Sequence, residues 1–273
     1  KLKAKLGFYE KRLRETSDLL KSKTQQMNKM KEYVQLSDNH NDQIIDDYLT
    51  IKKYNIFIIC KSKDIFNSHK QTFKKYISKI HKLYHIPAVF LKDTPKNRQL
   101  TEKLNTRYNT TMKSKLRKLG CIYAHLHALK KIVRLKSNHN LILEEDATLV
   151  HTLPNPPNVS SYLGGWIIPP QITKAGKVPI KISHLKKGLN EINYKKFKVL
   201  MAHSYYIESY KSAQEIVKSI ETNNKVKNYD VHLIDNEFIH KFYYPAIFVQ
   251  SKHLSDIDQK TNKNDRYTEN YGL

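Results

Sequence analysis

The sequence predicts an α/β fold from Tyr54 onward, with a mostly parallel, Rossmann-like sheet, helices on both of its faces and a helical stem in front of it. Short apolar runs of strand length alternate with stretches whose apolar residues recur at helical spacing, which is typical of strands joined by crossover helices. One of these runs ends directly in three acidic residues, and open α/β sheets bind ligands at such strand ends. Residues 1–36 instead carry the apolar repeat of a long helix.

The N-terminal segment has an apolar residue at every seventh position, and these residues are Leu6, Leu13, Leu20, Met27 and Val34. Thr16 and Lys23 weaken the second seam of this heptad, so the repeat predicts either a coiled coil or a single amphipathic helix. We assign residues 1–45 to a helical stem and linker, and residues 46–273 to the α/β domain. The stem is expected to form an oligomer or to tether the chain to a membrane.

The α/β domain divides into predicted strands and helices by the length and spacing of its apolar residues. The predicted elements are a strand at 54–60, a helix at 66–83, a strand at 88–91, a helix at 121–135 that begins after a break at Gly120, and a strand at 140–143. They continue with a loop-rich rim at 151–199, a strand at 199–206, a helix at 209–220 and a last strand that ends near Gln250.

The basic composition has two explanations: a partner or substrate that carries negative charge, or an A/T-rich genome, which favours Lys, Asn, Ile and Tyr without functional reason. The formal net charge is +24, which suits nucleic acid, an anionic membrane or a phosphate-bearing substrate. The lysines are spread along the chain without a long basic block or an aromatic-glycine RNA-binding motif. This distribution favours general basicity over a dedicated nucleic-acid module.

The cysteines and the apolar runs exclude little about location. Cys60 and Cys121 lie far apart beside apolar residues, which is more typical of buried side chains than of a disulfide framework or a zinc site. The apolar runs are far shorter than the ~20 residues that a membrane-spanning helix needs. The visible chain thus allows a cytoplasmic location or a membrane-associated one reached through the stem.

The acidic triplet at Glu144, Glu145 and Asp146 directly follows the apolar run 140–143. In an extended chain, Glu144 and Asp146 point to one side and Glu145 to the other. A hard divalent cation that is shared with a diphosphate needs few carboxylate oxygens, and it neutralises the charge that gathers on a nucleoside-diphosphate leaving group. The alternative for the triplet alone is a solvated acidic turn.

A second motif, Gly120, Cys121 and His125, precedes this strand. The two segments together resemble glycosyltransferase family 25, the lipopolysaccharide and collagen β-galactosyltransferases, which have Gly-Cys-x-x-Ser-His at a helix start and an apolar strand ending in Leu-Glu-Asp-Asp-Ala. The resemblance continues, in order, with Leu-Gly-Gly at 163–165, a strand that begins at Ala202, Tyr-Asp at 229–230, and Tyr-Pro, Gln and Ser-Asp-Ile between 244 and 257.

The resemblance implies a GT-A-type fold and a metal-dependent, inverting transfer of a hexose, often galactose. The donor would be a nucleoside-diphosphate sugar such as a UDP-hexose, and the acceptor a hydroxyl of a glycan, a lipid-linked sugar or a protein. Carried over by position, Glu145 and Asp146 would hold Mn²⁺ or Mg²⁺, and Asp230 would be the catalytic base, with Asp235 and Glu237 behind it. The expected donor-binding residues are Lys61, Lys63, Gly120, Cys121, His125, Glu144, Gly164 and Gly165. For His125, a buried structural role is the alternative.

Two departures from the family pattern lead to a second hypothesis. Lys61 and Lys63 stand where the family has Asn-Leu and paired arginines, and a lysine is a point charge without the planar fork of arginine. Glu145 stands where aspartate is usual. The chain can therefore also be a catalytically degenerate glycosyltransferase fold that acts as a basic structural or interaction protein, with nucleic acid, a membrane or an acidic protein as its partner.

Overall fold

The structure is a computed structural model that describes residues 52–102, 104, 111–168, 185–194, 198–223 and 226–251, together with residues 17, 21 and 23–25. The side chains of residues 166, 168 and 201 are outside this description. The chain divides into two units, residues 1–51 and 52–273. The five described residues of the first unit are helical, and the rest of the predicted stem lies outside the described residues.

The main sheet of the second unit has seven strands in the order β2-β1-β3-β7-β5-β8-β6. They are β1 Tyr54–Cys60, β2 Ile80–Pro87, β3 Asn140–Glu144, β5 Ser161–Ile168, β6 Gly188–Glu191, β7 Lys198–Ile207 and β8 Lys241–Tyr244. A separate two-stranded sheet pairs β4, Ala147–Leu149, with β9, Phe248–Gln250.

Five α-helices and one 3₁₀ helix connect these strands within the described residues. They are α1 Lys63–Phe73, the 3₁₀ helix Lys74–Lys79, α2 Pro95–Thr101, α3 Met112–Leu135, α4 Tyr210–Thr222 and α5 Tyr229–Asp235. Four of the α-helices begin with a hydroxyl side chain that accepts a backbone N–H of the first turn, and the capping residues are Ser62, Thr94, Thr111 and Ser209. Such caps satisfy N–H groups that have no partner inside the helix.

The sheet is mixed, and the predicted α/β class is confirmed. Strands β2, β1 and β3 are parallel, whereas β7 lies between β3 and β5 and runs antiparallel to both. Because β1 and β3 are parallel, their carboxyl ends meet at one edge of the sheet. This edge carries the acidic triplet.

Both faces of the sheet are covered by buried apolar side chains. Phe57 and Ile59 of β1 belong to one buried cluster together with residues of α3, α4 and α5, whereas Ile56 and Ile58 belong to a second cluster with Phe73 of α1. This division follows from the strand geometry, in which neighbouring side chains point to opposite faces. In the described part of the chain, no helix is long and apolar enough to cross a bilayer.

The region 66–91 differs from its prediction. The predicted helix at 66–83 ends at Phe73, and residues 80–87 instead form β2, which pairs along its whole length with β1. The predicted strand at 88–91 is irregular. The helical spacing of apolar residues misled the prediction, because Ile77 of the 3₁₀ helix is 68% exposed and contributes nothing to a buried helix face.

The sequence predicted a break in the chain at Gly120, and this prediction is wrong. It lies inside α3, which begins at Met112. A Cβ atom at this position would lie 2.3 Å from the carbonyl oxygen of Val89. The glycine therefore allows the segment after β2 to approach the helix. Glycine is less favourable than alanine inside a helix, but a side chain at this position would prevent the contact.

The remaining elements lie close to their predictions. Strands β1, β3 and β7 and helix α4 occupy the predicted segments within two residues at each end. The predicted loop-rich rim contains β5 and β6, and residues 169–184 between them lie outside the described residues.

Candidate functional site

A cavity of about 810 Å³ opens at the carboxyl ends of β1 and β3. Its walls come from the end of β1, the residues after β2, helix α3 and the acidic triplet. Seven of the predicted site residues line it, and they are Lys61, Gly120, Cys121, His125, Glu144, Glu145 and Asp146. The structure thus brings together the two motifs that were separate in the sequence.

Glu144, the last residue of β3, is bound to the histidine of helix α3. His125 Nε2 donates a hydrogen bond to Glu144 Oε1 at 2.8 Å, and Cys121 Sγ donates to the same oxygen at 3.8 Å. Cys121 and His125 are four residues apart on the helix and therefore share one face. This face is turned toward the end of the strand.

A buried chain of hydroxyl groups extends from this histidine into the core. His125 Nδ1 lies 3.0 Å from the hydroxyl of Tyr205, which lies 2.7 Å from the hydroxyl of Tyr229. The rings of His125 and Tyr229 are stacked, with centroids 4.1 Å apart and an interplanar angle of 6°. All three side chains are buried, so both nitrogens and one face of the imidazole are held in position.

The protonation of this group follows from its contacts. Burial raises the pKa of Glu144, but its hydrogen bond and electrostatic attraction to His125 outweigh this effect, so the pKa lies below its usual value and the group is a carboxylate. Burial, together with the negative charge of Glu144, raises the pKa of the Cys121 thiol well above its usual value. The cysteine is therefore a thiol beside a carboxylate.

Glu145 is held by the residue that follows β1. Its Oε2 accepts the backbone N–H of Lys61 at 3.0 Å, and its Oε1 lies 3.0 Å from the Lys61 ammonium group. Its backbone carbonyl oxygen also lies 3.0 Å from Nε2 of His69 in α1. Glu145, a predicted metal ligand, thus already has a cationic partner and connects the ends of β1 and β3.

Asp146 has an uncompensated carboxylate oxygen. Its Oδ2 accepts a hydrogen bond from Gln250 Nε2 at 2.7 Å, whereas its buried Oδ1 has no hydrogen-bond partner among the described residues. Burial, and then the negative charge of Glu144, raises the pKa of Asp146 to about 7. A divalent cation fits this atom, because it would supply the missing charge and the missing contact.

Asp230 is the predicted catalytic base that acts electrostatically on Cys121 of this group. It is on α5, its Oδ1 accepts the backbone N–H of Val231 at 2.8 Å, and its charge contributes to the raised pKa of Cys121. It does not line the cavity that the described residues form.

Asp235 and Glu237, the other two predicted bases, lie outside the cavity wall formed by the described residues. Asp235 pairs with Lys198 at 3.4 Å and with Lys227. Burial alone would raise the pKa of Asp235, but these lysines outweigh it and hold the pKa below its usual value. Glu237 is exposed after the end of α5.

Three predicted donor-binding residues have other positions. A Cβ atom on Gly164 would lie 2.2 Å from the carbonyl oxygen of Phe248, and one on Gly165 would lie 2.6 Å from Val199 Cγ1. Both glycines therefore serve close packing of β5. Lys63 is exposed in the first turn of α1. None of the three is among the described residues that line the cavity.

The cavity also contains residues that the sequence interpretation missed. Lys113 and Arg117 of α3 add positive charge to the wall, and Phe90 adds an aromatic ring that is 61% exposed. Positions 113, 117, 121 and 125 are spaced by four, which places them along one side of a helix. This signal was visible in the sequence, but the predicted break at Gly120 concealed it.

No protein-family model matches this chain, and a comparison with curated proteins found no match.

Proposed function

We propose that this cavity binds a nucleoside-diphosphate hexose, such as a UDP-hexose, and that the chain is a metal-dependent, inverting glycosyltransferase of the family 25 type with a GT-A-type domain. The observation that carries the proposal is the buried Oδ1 of Asp146, which has no hydrogen-bond partner among the described residues and lies in the same cavity as basic side chains. Acidic and basic side chains in the wall of one cavity suit a diphosphate that is bound together with a cation.

The proposed diphosphate subsite combines Asp146 with the basic wall. Asp146 would hold Mn²⁺ or Mg²⁺, which when bound neutralises charge on the departing diphosphate. Lys113 and Arg117 lie on the cavity side of α3, where an ammonium group and a guanidinium fork can bind phosphate oxygens. Lys61 pairs with Glu145 and holds it in position, so it is not a dedicated phosphate-binding residue of the donor site.

The proposed nucleoside subsite is the apolar part of the wall. A volume of about 810 Å³ lies within the range of about 300–1,000 Å³ that is typical of small-molecule sites. Phe90 is 61% exposed, and its ring lies 5.8 Å from the Lys61 ammonium group. An exposed aromatic ring beside a phosphate subsite is suited to stacking against a base.

Asp230 is the proposed base that accepts the proton of the acceptor hydroxyl. Its charge acts on Cys121 in the cavity wall, whereas Asp235 is paired with Lys227. We expect Asp230→Asn to reduce hexose transfer by about 10²- to 10⁴-fold, the usual contribution of a general base, while donor binding is unchanged. A variant that transfers hexose at the wild-type rate would exclude this role.

A thermal-shift titration with several nucleotide sugars, with and without Mn²⁺, tests the proposed function. A ligand that binds only the folded state raises the melting temperature by mass action. We expect a shift that requires both the matching donor and the metal ion. Unchanged melting temperatures with every donor would contradict the proposal.

A second candidate function, a basic interaction protein on a degenerate glycosyltransferase fold, is favoured by one observation. Lys61 already neutralises Glu145, at the position where the family has its metal-binding aspartate. This candidate predicts salt-sensitive binding to a polyanion without any need for Mn²⁺ or a nucleotide sugar. The same titration therefore distinguishes the two functions.

A further inference from the structure

Three side chains of different chemistry converge in the cavity wall. The sulfur of Cys121, a ring nitrogen of His125 and a carboxylate oxygen of Glu144 all lie within 4.8 Å of one another. We propose that these three residues form a binding site for a zinc-class transition-metal ion, separate from the hard cation at Asp146. The family resemblance had placed these three residues among the donor-binding residues, and we assign them to the metal ion instead. The diphosphate subsite proposed above uses Asp146, Lys113 and Arg117, so the two sites can be tested separately.

The secondary structure holds the three ligands near one another before any metal ion binds. Cys121 and His125 are one helical turn apart on α3, and Glu144 is at the end of the adjacent strand β3. Two ligands at positions i and i+4 of one helix point to the same side, as in helical zinc-binding motifs. The third ligand comes from a separate rigid element, so the three atoms surround a point in the cavity wall.

The distances are close to those of a tetrahedral ion. Metal–ligand bonds of about 2.0 Å to nitrogen and oxygen and about 2.3 Å to sulfur place neighbouring ligand atoms about 3.3–3.5 Å apart. The structure has 2.8 Å between His125 Nε2 and Glu144 Oε1, and 3.8 Å between Cys121 Sγ and the same oxygen. The sulfur and the ring nitrogen lie within 4.8 Å of each other. The glutamate side chain, which is 27% exposed, would move about 0.5 Å away from the imidazole to reach the tetrahedral spacing.

The ligand types select the metal. A thiolate and an imidazole prefer Zn²⁺ and its neighbours over Mg²⁺, which prefers oxygen ligands. On binding, the Cys121 thiol proton passes to solvent and the sulfur coordinates as a thiolate. Three protein ligands leave a fourth position, which faces the cavity because Cys121 and Glu144 line its wall. Such an open position is typical of sites that bind water or a substrate oxygen.

A second layer of contacts already holds the imidazole. When Nε2 binds the ion, Nδ1 carries the ring proton and donates to the hydroxyl of Tyr205, 3.0 Å away. That hydroxyl is in turn within 2.7 Å of the Tyr229 hydroxyl. Hydrogen bonds of this kind fix the tautomer and orientation of metal-binding histidines, and their loss weakens metal binding by about 10- to 100-fold.

Titration of the metal-free full chain with Co²⁺, without nucleotide, tests the site. Cobalt replaces zinc in such sites and gives an absorption band from thiolate-to-metal charge transfer, which distinguishes Cys121 from histidines elsewhere. We expect a band that saturates at one Co²⁺ per chain and disappears when Zn²⁺ is added. A chain without this band at saturating Co²⁺ would overturn the proposal.

Variants test whether the band arises from this site. Cys121→Ser is expected to abolish it, and Tyr205→Phe to weaken Co²⁺ binding by about 10- to 100-fold. Cys60→Ala is the matched control, since Cys60 is buried and its Sγ donates to the Ser62 carbonyl oxygen outside the cluster. A band that survives in Cys121→Ser, or that is lost in Cys60→Ala, would refute the assignment.

Alkylation of the wild-type chain gives an answer even where a variant does not fold. We expect Zn²⁺, and not Mg²⁺, to slow the reaction of Cys121 with iodoacetamide at least about tenfold, because a sulfur bound to the ion is no longer free to attack the reagent. An equal rate with and without Zn²⁺ would contradict the site. Asp146→Asn is expected to keep Co²⁺ binding while losing Mn²⁺-dependent donor binding, so failure of the proposed function is distinguishable from failure of this site.

Discussion

Two neighbouring carboxylates in the cavity wall have opposite surroundings. Glu145 accepts the backbone N–H of Lys61 and pairs with its ammonium group, whereas the buried Oδ1 of Asp146 has no partner among the described residues. A buried carboxylate without a compensating contact is unfavourable in its charged form. Asp146 is thus the member of the triplet whose energy a cation would lower most.

The first prediction concerns the stability of Asp146→Asn. The pKa of Asp146 is about 7 in the folded chain, against an ordinary value of 3.8 that applies to the unfolded chain. Between these two pH values the carboxyl group is protonated in the folded chain and ionised in the unfolded chain. The stability contributed by this group is complete below about pH 4 and is lost as the pH rises to 7. We therefore expect the free energy of unfolding of the asparagine variant, relative to that of the wild type, to increase between pH 4 and pH 7 by at most about 4 kcal/mol.

Urea unfolding in the presence of a chelator, between pH 4 and pH 8, measures this difference. The wild type is the reference at each pH, since all other titrating groups are shared. A difference in the free energy of unfolding that stays constant with pH would mean that Asp146 is not destabilised by burial.

The second prediction separates the roles of Glu145 and Asp146. Glu145→Gln keeps an acceptor for the Lys61 backbone N–H but loses the partly exposed ion pair, which costs less than about 1 kcal/mol of stability. We expect this variant to retain Mn²⁺-dependent donor binding within about tenfold, and Asp146→Asn to lose it. Calorimetric titration of both variants decides. If both variants lost donor binding to the same extent, Glu145 would be a metal ligand as the sequence predicted.

At the scale of elements, helix α3 organises the site. It presents Lys113, Arg117, Cys121 and His125 along one side, and it begins eight residues before Gly120 instead of after it. Without a Cβ atom at Gly120, the backbone at Val89 can approach the helix and close one wall of the cavity. The glycine thus has a packing role that sequence spacing alone does not distinguish from a helix break.

The third prediction is that Gly120→Ala destabilises the chain although alanine favours helices. The added methyl group would meet the Val89 carbonyl oxygen at 2.3 Å, and overpacking of this kind costs about 1–3 kcal/mol. His127→Ala is the matched control, since His127 is exposed on the same helix and the change gains about 0.5 kcal/mol of helix propensity. Thermal unfolding compares them. A Gly120→Ala variant as stable as the control variant would contradict the close contact.

Sequence patterns predicted the strands and helices that depend on neighbouring residues, but not the contacts between residues far apart in the chain. The apolar run before Glu144 predicted β3, because a buried strand and the acids after it are adjacent in the chain. The partner of Glu145 was not predictable, since Lys61 is 84 residues away in sequence. The same holds for Asp235, which pairs with Lys198 and Lys227 instead of facing the cavity.

At the scale of the whole molecule, charge acts independently of the cavity. The net charge of +24 attracts any polyanion, and such attraction weakens as salt displaces the counterions of the partner. This effect needs neither a metal ion nor a nucleotide sugar. It must therefore be measured separately from donor binding.

The fourth prediction is that the chain binds double-stranded DNA without sequence preference and loses at least about tenfold in affinity between about 50 mM and 200 mM salt. Asp146→Asn should change this affinity less than twofold, because it alters one charge in a chain with a net charge of +24. Fluorescence anisotropy with a labelled duplex in the presence of a chelator provides the measurement. Affinity that is insensitive to salt would show that the charge of the chain does not drive the association.

The central claim is that Asp146 and a divalent cation together bind a nucleoside-diphosphate sugar in the cavity beside β3. Isothermal titration calorimetry with a UDP-hexose, on the wild type and on Asp146→Asn, each with and without Mn²⁺, tests it most directly. We predict binding for the wild type with Mn²⁺ and none in the other three combinations. Donor binding to Asp146→Asn that equals the wild type in the presence of Mn²⁺ would contradict the claim.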